Sequence, residues 1–300
     1  MPNLEVVEYT DPWCSWAWGT EPKLRRLRWR YGDRLAWRTV MGDLVADRED
    51  PSFDPVAAAP RLADYWHEAH RHTGMPWPAQ LRWAPTASAT AARAVKAAEL
   101  QSDLIGRAML RALRESCFVF CQPADRVDRV VEVADTVPGL DVDRFTRDLG
   151  GEEVEQTYLA DRAETRQPND YVRHLDEAHL GKGNAKPDGD GWRYVFPTVL
   201  FRGPEGEHTV PGWQPYERYE AAMESAQPGS TADPRPDPTP GEAFAEWPLL
   251  TEWELTFLCG EGSAPPASFT VHDMGGGVAW SRGDWVDWAN RASLTSPIVR

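Results

Sequence analysis

The sequence predicts an α/β protein with a large helical middle and a small α+β unit at its C-terminal end. Three observations carry that prediction. A strand–helix–strand pattern opens the chain, helix-forming segments dominate about residues 50–188, and strand signals return only after residue 190.

Leu4 to Tyr9 (LEVVEY) is rich in β-branched and aromatic residues and reads as a short buried strand. Leu24, Leu27 and Tyr31 follow at helical intervals among arginines, and Gly32 is a natural helix stop. Leu35 to Val40 alternates apolar and polar residues and gives a second strand. The unit is βαβ, so the two strands should lie parallel with a right-handed crossover. Pro51, Pro55 and Pro60 break a loop. Helices are predicted over 58–74, 87–101, 104–120, 126–137, 143–150 and 152–176, with Asp141 as an N-cap. Strands over 192–201 and 207–210 flank the turn Arg202-Gly203-Pro204-Glu205-Gly206, and 213–225 is a further helix. The Pro-rich stretch 227–240 (QPGSTADPRPDPTP) has no apolar face and reads as a linker between a unit of residues 1–226 and a tail unit of 241–300. In the tail a helix is expected over 249–259 and a hairpin around Met274-Gly275-Gly276-Gly277.

A net charge of −15 and a pI near 4.9 argue against sequence-independent binding to nucleic acid. No apolar run reaches the about 18 residues needed to cross a bilayer, and MPNLEVVEYT lacks the regions of a signal peptide. A cytoplasmic protein that binds no membrane is expected. Four cysteines, Cys14, Cys117, Cys121 and Cys259, are too few and too scattered for a secreted disulfide framework.

The most informative stretch is Thr10-Asp11-Pro12-Trp13-Cys14-Ser15-Trp16-Ala17-Trp18-Gly19-Thr20-Glu21-Pro22, which places a cysteine where a strand turns into a helix. Amides at a helix N-terminus favour a thiolate, whereas an apolar collar of Trp13 and Trp16 would oppose ionisation by desolvation. Trp18 is assigned to the core. This stretch resembles the active-site motif of the DsbA-like branch of the thioredoxin superfamily, which includes FrnE-type oxidoreductases, kappa-class glutathione transferases and 2-hydroxychromene-2-carboxylate isomerases. Asp11, Pro12, Cys14, Trp18 and Gly19 match; the second cysteine of the motif is replaced by Ala17.

The resemblance implies a thioredoxin fold interrupted by a helical insertion. It also implies a cis-proline at Pro197, in Phe196-Pro197-Thr198, facing Cys14. Cys14 would then be the catalytic thiol, with Trp13, Ser15, Trp16, Phe196, Pro197 and Thr198 around the substrate. Three functions follow. The leading one is a thiol–disulfide oxidoreductase acting through Cys14 alone, with an external low-molecular-weight thiol for resolution and no tightly bound cofactor. The second is a non-redox adaptor that holds a protein partner, with the tail as an interaction module. The third is an isomerase or glutathione-transferase-like enzyme, for which Ser15 is the candidate hydroxyl. The partner is accordingly a thiol or disulfide substrate, or a protein.

Three other groups are weighed as bystanders. His67 and His70, one helical turn apart, could share a face, but His72 points elsewhere and no third metal ligand is evident, so no metal is expected. Cys117 and Cys121, four apart, are read as packing on one helical face, and Cys259 as core.

Overall fold

The computed structural model describes residues 4–45, 52–176 and 183–282. The expected start of the helical insertion near residue 50 and the last residues of the tail unit, 283–300, lie outside these.

The opening unit forms as its pattern predicts. Strand β1 (Leu4–Thr10) is followed by a short helix α1 (Ser15–Trp18), helix α2 (Glu21–Tyr31) and strand β2 (Leu35–Met41), which runs parallel to β1. A single continuous helix does not form, because the chain turns at Gly19 and Thr20, and Pro22 starts α2. A Cβ at Gly19 would lie 2.3 Å from the Thr73 methyl, so only glycine allows this approach.

The next segment is helical. It comprises α3 (Pro55–Thr73), a two-residue strand β3 (Trp77–Pro78), α4 (Ala89–Glu99), α5 (Asp103–Phe118), α6 (Val127–Ala134), α7 (Val142–Leu149), α8 (Glu152–Thr165) and α9 (Asp170–Arg173). Helix α3 starts earlier than predicted. Pro55 occupies its first turn, where no amide is needed, and Asp54 accepts from the Val56 and Ala57 amides. Asp141 caps α7 through the Arg144 amide at 2.9 Å, as its position suggested. The helix predicted over 152–176 is two helices, because Pro168 disfavours helical backbone at the residue before it.

The chain then returns to the sheet. A small hairpin, β4 (Lys186–Asp188) and β5 (Gly191–Arg193), precedes β6 (Thr198–Gly203), β7 (Gly206–Pro211) and α10 (Tyr216–Ala226). The single strand predicted over 192–201 is thus broken around Phe196–Pro197, whose peptide is cis. The sheet order is β2-β1-β6-β7, with β6 antiparallel to both neighbours. Alternation divides the two faces. Leu4, Val6, Val199 and Phe201 meet Leu24, Leu27 and Tyr31 of α2 and Tyr219 and Met223 of α10. Val7, Tyr9 and Leu200 face the other way, toward Cys14 and Phe196. This is a thioredoxin fold with a helical insertion between its second and third sheet strands.

Segment 227–240 is fastened along α2. The Arg235 amide donates to Arg30 O at 2.9 Å, Trp29 Nε1 donates to Pro236 O at 2.7 Å, and Asp237 pairs with Arg26 and Arg30. Beyond it lie α11 (Pro240–Glu246), β8 (Leu249–Thr251), α12 (Glu252–Cys259), β9 (Thr270–Asp273), β10 (Gly275–Gly276) and β11 (Val278–Ser281). The helix predicted over 249–259 begins only at Glu252, because Thr251 and Glu254 form a capping box. The expected hairpin pairs β9 with β11, β8 adds to its other side, and β10 pairs with β3 of the insertion.

Buried charge joins these parts. Arg114 of α5 reaches Glu21 of α2, and Glu8 and Thr10 of β1. Its neighbour Arg111 grips Glu254 of α12 at 2.8 and 3.0 Å, and Arg25 of α2 meets the same carboxylate at 3.2 Å. Burial raises the Glu21 pKa, but Arg114, Arg111 and Arg25 overcome it and hold the carboxyl down at about 2. This contribution is fully present above the ordinary glutamate value of 4.5 and is lost as pH falls toward 2. Glu254→Leu removes the carboxylate that two buried guanidinium groups share, leaving Arg111 with Glu115 and Arg25 with Glu21, and should destabilise the protein by about 3 kcal/mol in urea unfolding; a change under about 1 kcal/mol would contradict the assignment.

Lys23 of α2 is the opposite case. Its amine is buried 3.5 Å over the Trp213 ring and makes no hydrogen bond among the described residues. Burial pushes its pKa down to about 6, with Glu217 a smaller opposing influence. Between pH 6 and the ordinary 10.5 the unfolded chain holds this proton and the folded one does not, so stability should rise with pH across that window. Lys23→Met should flatten that rise and stabilise the fold at neutral pH by about 1–3 kcal/mol, measured by unfolding at several pH values.

Candidate functional site

The site is built where β1 ends. Asp11 is fully buried and its two carboxylate oxygens accept the Trp13 and Leu44 amides, each at 2.9 Å. It thereby ties the loop that carries Cys14 to the chain leaving β2. Burial raises the Asp11 pKa to about 6, against the two amides and the Ser88 hydroxyl, which pull it down.

Cys14 follows as the N-cap of α1. It is 4% exposed, and its Sγ donates to the carbonyl of Phe196 at 3.2 Å. The structure therefore brings Cys14 together with Phe196, Pro197 and Thr198, all of them buried. Thr198 donates its hydroxyl to Val195 O at 2.7 Å, closing the turn that presents the Phe196 carbonyl. A Cβ at Gly42 would fall 2.0 Å from the Phe196 ring, so the ring sits flush against backbone. Arg193 covers the same ring at 4.9 Å.

Two opposing influences act on the thiol. Burial pushes its pKa up to about 11; the Ala17 and Trp16 amides and the more distant Arg114 charge pull it down, and Asp11 pushes it up again. Desolvation wins. The S–H bond to a carbonyl acts the same way, because the carbonyl oxygen stabilises a proton on sulfur and repels a thiolate.

The remaining expected residues divide. Trp13 is 1% exposed and its Nε1 donates to Ala87 O at 3.0 Å, so it packs inside the insertion's core and is no wall of an open groove. Its indole is held because Asp11 fixes the loop. Trp18 is core as expected, stacked on Phe118 with a centroid separation of 5.4 Å. Ser15 is buried in α1, whereas Trp16 is half-buried with its ring 5.6 Å from His72. Ala17 stands one turn from Cys14, and no other cysteine packs in the same apolar cluster. Cys117 and Cys121 belong to the insertion's core and do not share a helical face: α5 ends at Phe118, and Cys121 has φ 59°. Cys259 is half-buried at the end of α12.

His67 stacks on Trp77 at 4.2 Å, His70 meets the same ring tilted at 4.5 Å, and His70 Nδ1 bonds Met75 O at 2.8 Å. Among the described residues no three histidine, cysteine or acidic side chains are grouped to hold a metal. Nor is any described helix long and apolar enough to cross a membrane. The sequence contains the residues that matter here and that were not singled out as parts of the site. Gly42 ends a predicted strand, and Asp11 precedes the motif proline. Arg114 and Arg193 carry no signal that separates them from the other arginines.

The thioredoxin family profile matches residues 8–169. Curated relatives include the "ClpXP adapter protein SpxH" of Halalkalibacterium halodurans, 31% identical over 169 residues, which are 55% of this chain and 55% of the relative. The protein of the same name from Bacillus subtilis is 29% identical over 150 residues, 49% of this chain and 48% of the relative. The chain thus spans about half the length of the curated relatives it matches. Among solved structures, a candidate protein disulfide isomerase from Nitrosomonas europaea superposes with a TM-score of 0.57 at 17% identity, covering 74% of this chain and 97% of the other. A candidate DsbA oxidoreductase from Streptomyces coelicolor gives 0.52 at 16% identity, covering 75% and 90%. These neighbours share the DsbA-like fold and leave the C-terminal elements outside it. With a matching profile over more than half its length, the chain belongs to the thioredoxin family.

Proposed function

We propose that this protein is an adaptor, a binding protein on a thioredoxin scaffold, in which Cys14 is a structural thiol. The observation that carries this reading is the Cys14 S–H donated to the Phe196 carbonyl inside a buried site. That bond occupies the strand-start backbone that a thioredoxin-fold oxidoreductase would offer to an extended substrate, and it keeps the sulfur protonated. Ala17 in place of a resolving cysteine points the same way, since nothing in the motif would release a mixed disulfide. The name of the SpxH relatives supports it from another direction. Carried to this chain, that name proposes delivery of a protein client to a ClpXP-type protease. Free thiols at all four cysteines suit a reducing cytoplasm.

A second reading, monothiol exchange, is favoured by one observation: the Trp16 and Ala17 amides interact with the sulfur as they would with a thiolate. In that scheme deprotonated Cys14 attacks a substrate disulfide, forming a mixed disulfide and expelling one substrate thiolate. A low-molecular-weight thiol then attacks the mixed disulfide, releasing the second substrate thiol and leaving Cys14 bonded to the small thiol, which a second equivalent removes as its disulfide. Ser15, the hydroxyl candidate for an isomerase-like role, gains no such support because it is buried within α1.

Alkylation of native Cys14, followed by mass spectrometry of its peptide, separates the first two readings. The rate should climb with pH up to about 11; a midpoint at or below the free-thiol value of about 8.5 would favour monothiol chemistry. Client capture gives a second test. Wild type and Cys14→Ser should retain the same protein equally, and ClpXP with ATP should degrade it faster when the chain is present. Retention through a reducible disulfide that Cys14→Ser loses would overturn the adaptor reading.

A further inference from the structure

A groove of about 1380 Å³ lies on the opposite edge of the sheet from β7, between β2, helices α2 and α5, and the C-terminal unit. Its sheet wall is an open strand edge. The Gly42 amide points to β1, bonding Thr10 O at 2.7 Å. The Thr39 carbonyl and the Met41 amide point the other way, to Lys96 at 2.7 Å and Asp161 at 2.8 Å. Strand periodicity therefore turns the Trp37 N–H and C=O and the Leu35 C=O away from β1 as well. No described residue bonds any of these three groups. The outer edge of β2 is capped by side chains at its end and bare at its start.

The helical wall presents Leu104, Arg107, Ala108 and Arg111, spaced i, i+3, i+4 and i+7 on α5. Leu104 is 67% exposed. Arg107 is half-buried and makes neither an ion pair nor a hydrogen bond among the described residues. Burial holds its pKa below the ordinary arginine value and the nearby Arg28 charge adds to this, against the weaker opposing influence of Asp103, Glu8 and Glu99. Arg28 stacks on Trp37 at 4.1 Å, and its Nε and the Trp37 Nε1 are both buried without a partner among the described residues. Of the acids lining the groove, Glu8 is engaged by Arg28 and Arg114, Glu21 by Arg25 and Arg114, and Glu115 by Arg111, while Asp103, four residues before Arg107 on α5, acts on it through its charge without forming an ion pair.

We infer that this groove binds an extended acidic segment of a partner protein, which adds as a strand beside residues 35–37 and sets a carboxylate on Arg107. The open edge supplies main-chain hydrogen bonds, and the α5 face supplies one apolar and one cationic contact at alternating side chains. A carboxylate at bonding distance gives the guanidinium the direct, hydrogen-bonded ion pair that no described residue makes with it. The inference deepens the adaptor reading by naming the chemistry of the partner; its site is remote in sequence and in the sheet from Phe196.

The test is fluorescence anisotropy with a labelled heptapeptide of alternating valine and glutamate, titrated with the full chain. Saturable binding is expected, at least tenfold weaker for Arg107→Glu and for Arg107→Met, which keeps the packing of the stem. A valine–glutamine peptide, or one N-methylated at alternate amides, should also bind at least tenfold more weakly. Equal binding by the Arg107 variants, by either control peptide, or no saturable binding at all would overturn the inference. Dimerisation of the chain that Arg107→Glu abolishes and the peptide fails to reverse would assign the groove to a second copy, and overturn it too. Cys14→Ser should bind the peptide as wild type does. Disulfide turnover at Cys14 alongside intact peptide binding would defeat the adaptor reading and leave the groove standing; loss of peptide binding without turnover would do the reverse.

Discussion

Arg114 is a guanidinium with almost no exposed surface, sitting where β1, α2 and the helical insertion meet. Taking such a charge out of water costs several kcal/mol unless acids and hydrogen-bond acceptors surround it. Glu21, Glu8 and Thr10 do so from two elements of the thioredoxin unit. One turn along α5, Arg111 repeats the arrangement with Glu254, which also caps α12 and meets Arg25. Three parts of the chain that are far apart in sequence are therefore locked by charges that none of them could bury alone. The C-terminal unit is part of the same body as the sheet, and the Pro-rich segment before it is a strap held to α2.

The thiol site depends on that frame. Glu21 opens α2 just past the Cys14 turn, and Asp11 fixes the turn from the other side through the Trp13 and Leu44 amides. Held this way, Cys14 has little choice of direction, and its S–H meets the Phe196 carbonyl. The helix-start amides that in a solvated site would yield a reactive thiolate are here outweighed by desolvation. The same scaffold that serves disulfide chemistry can thus be closed over its own cysteine, leaving surfaces elsewhere for binding.

Much of this was legible in the sequence. The β-branched and aromatic residues of LEVVEY and the helical spacing of Leu24, Leu27 and Tyr31 locate the sheet and its first helix, and the Asp-Pro-x-Cys stretch locates the thiol. Local signals failed where a tertiary partner or a proline decides. Trp13 and Trp16 look alike in the motif, yet a single hydrogen bond to Ala87 O takes Trp13 into the core. Pro168 splits a helix whose composition is continuous. The competition between amides and desolvation at Cys14 could be named from the sequence but not decided, because the outcome rests on how deeply the fold buries the sulfur, against elements as distant as Phe196, 182 residues away. The open edge of β2 was invisible, since it depends on which side chains reach the strand from α4 and α8.

On the adaptor reading, Cys14 holds the site together and performs no redox cycle. The most direct measurement is steady-state reduction of a protein disulfide with reduced glutathione as electron donor, comparing wild type with Cys14→Ser. Both should be indistinguishable from the uncatalysed rate. Turnover by wild type that disappears in Cys14→Ser would contradict that reading.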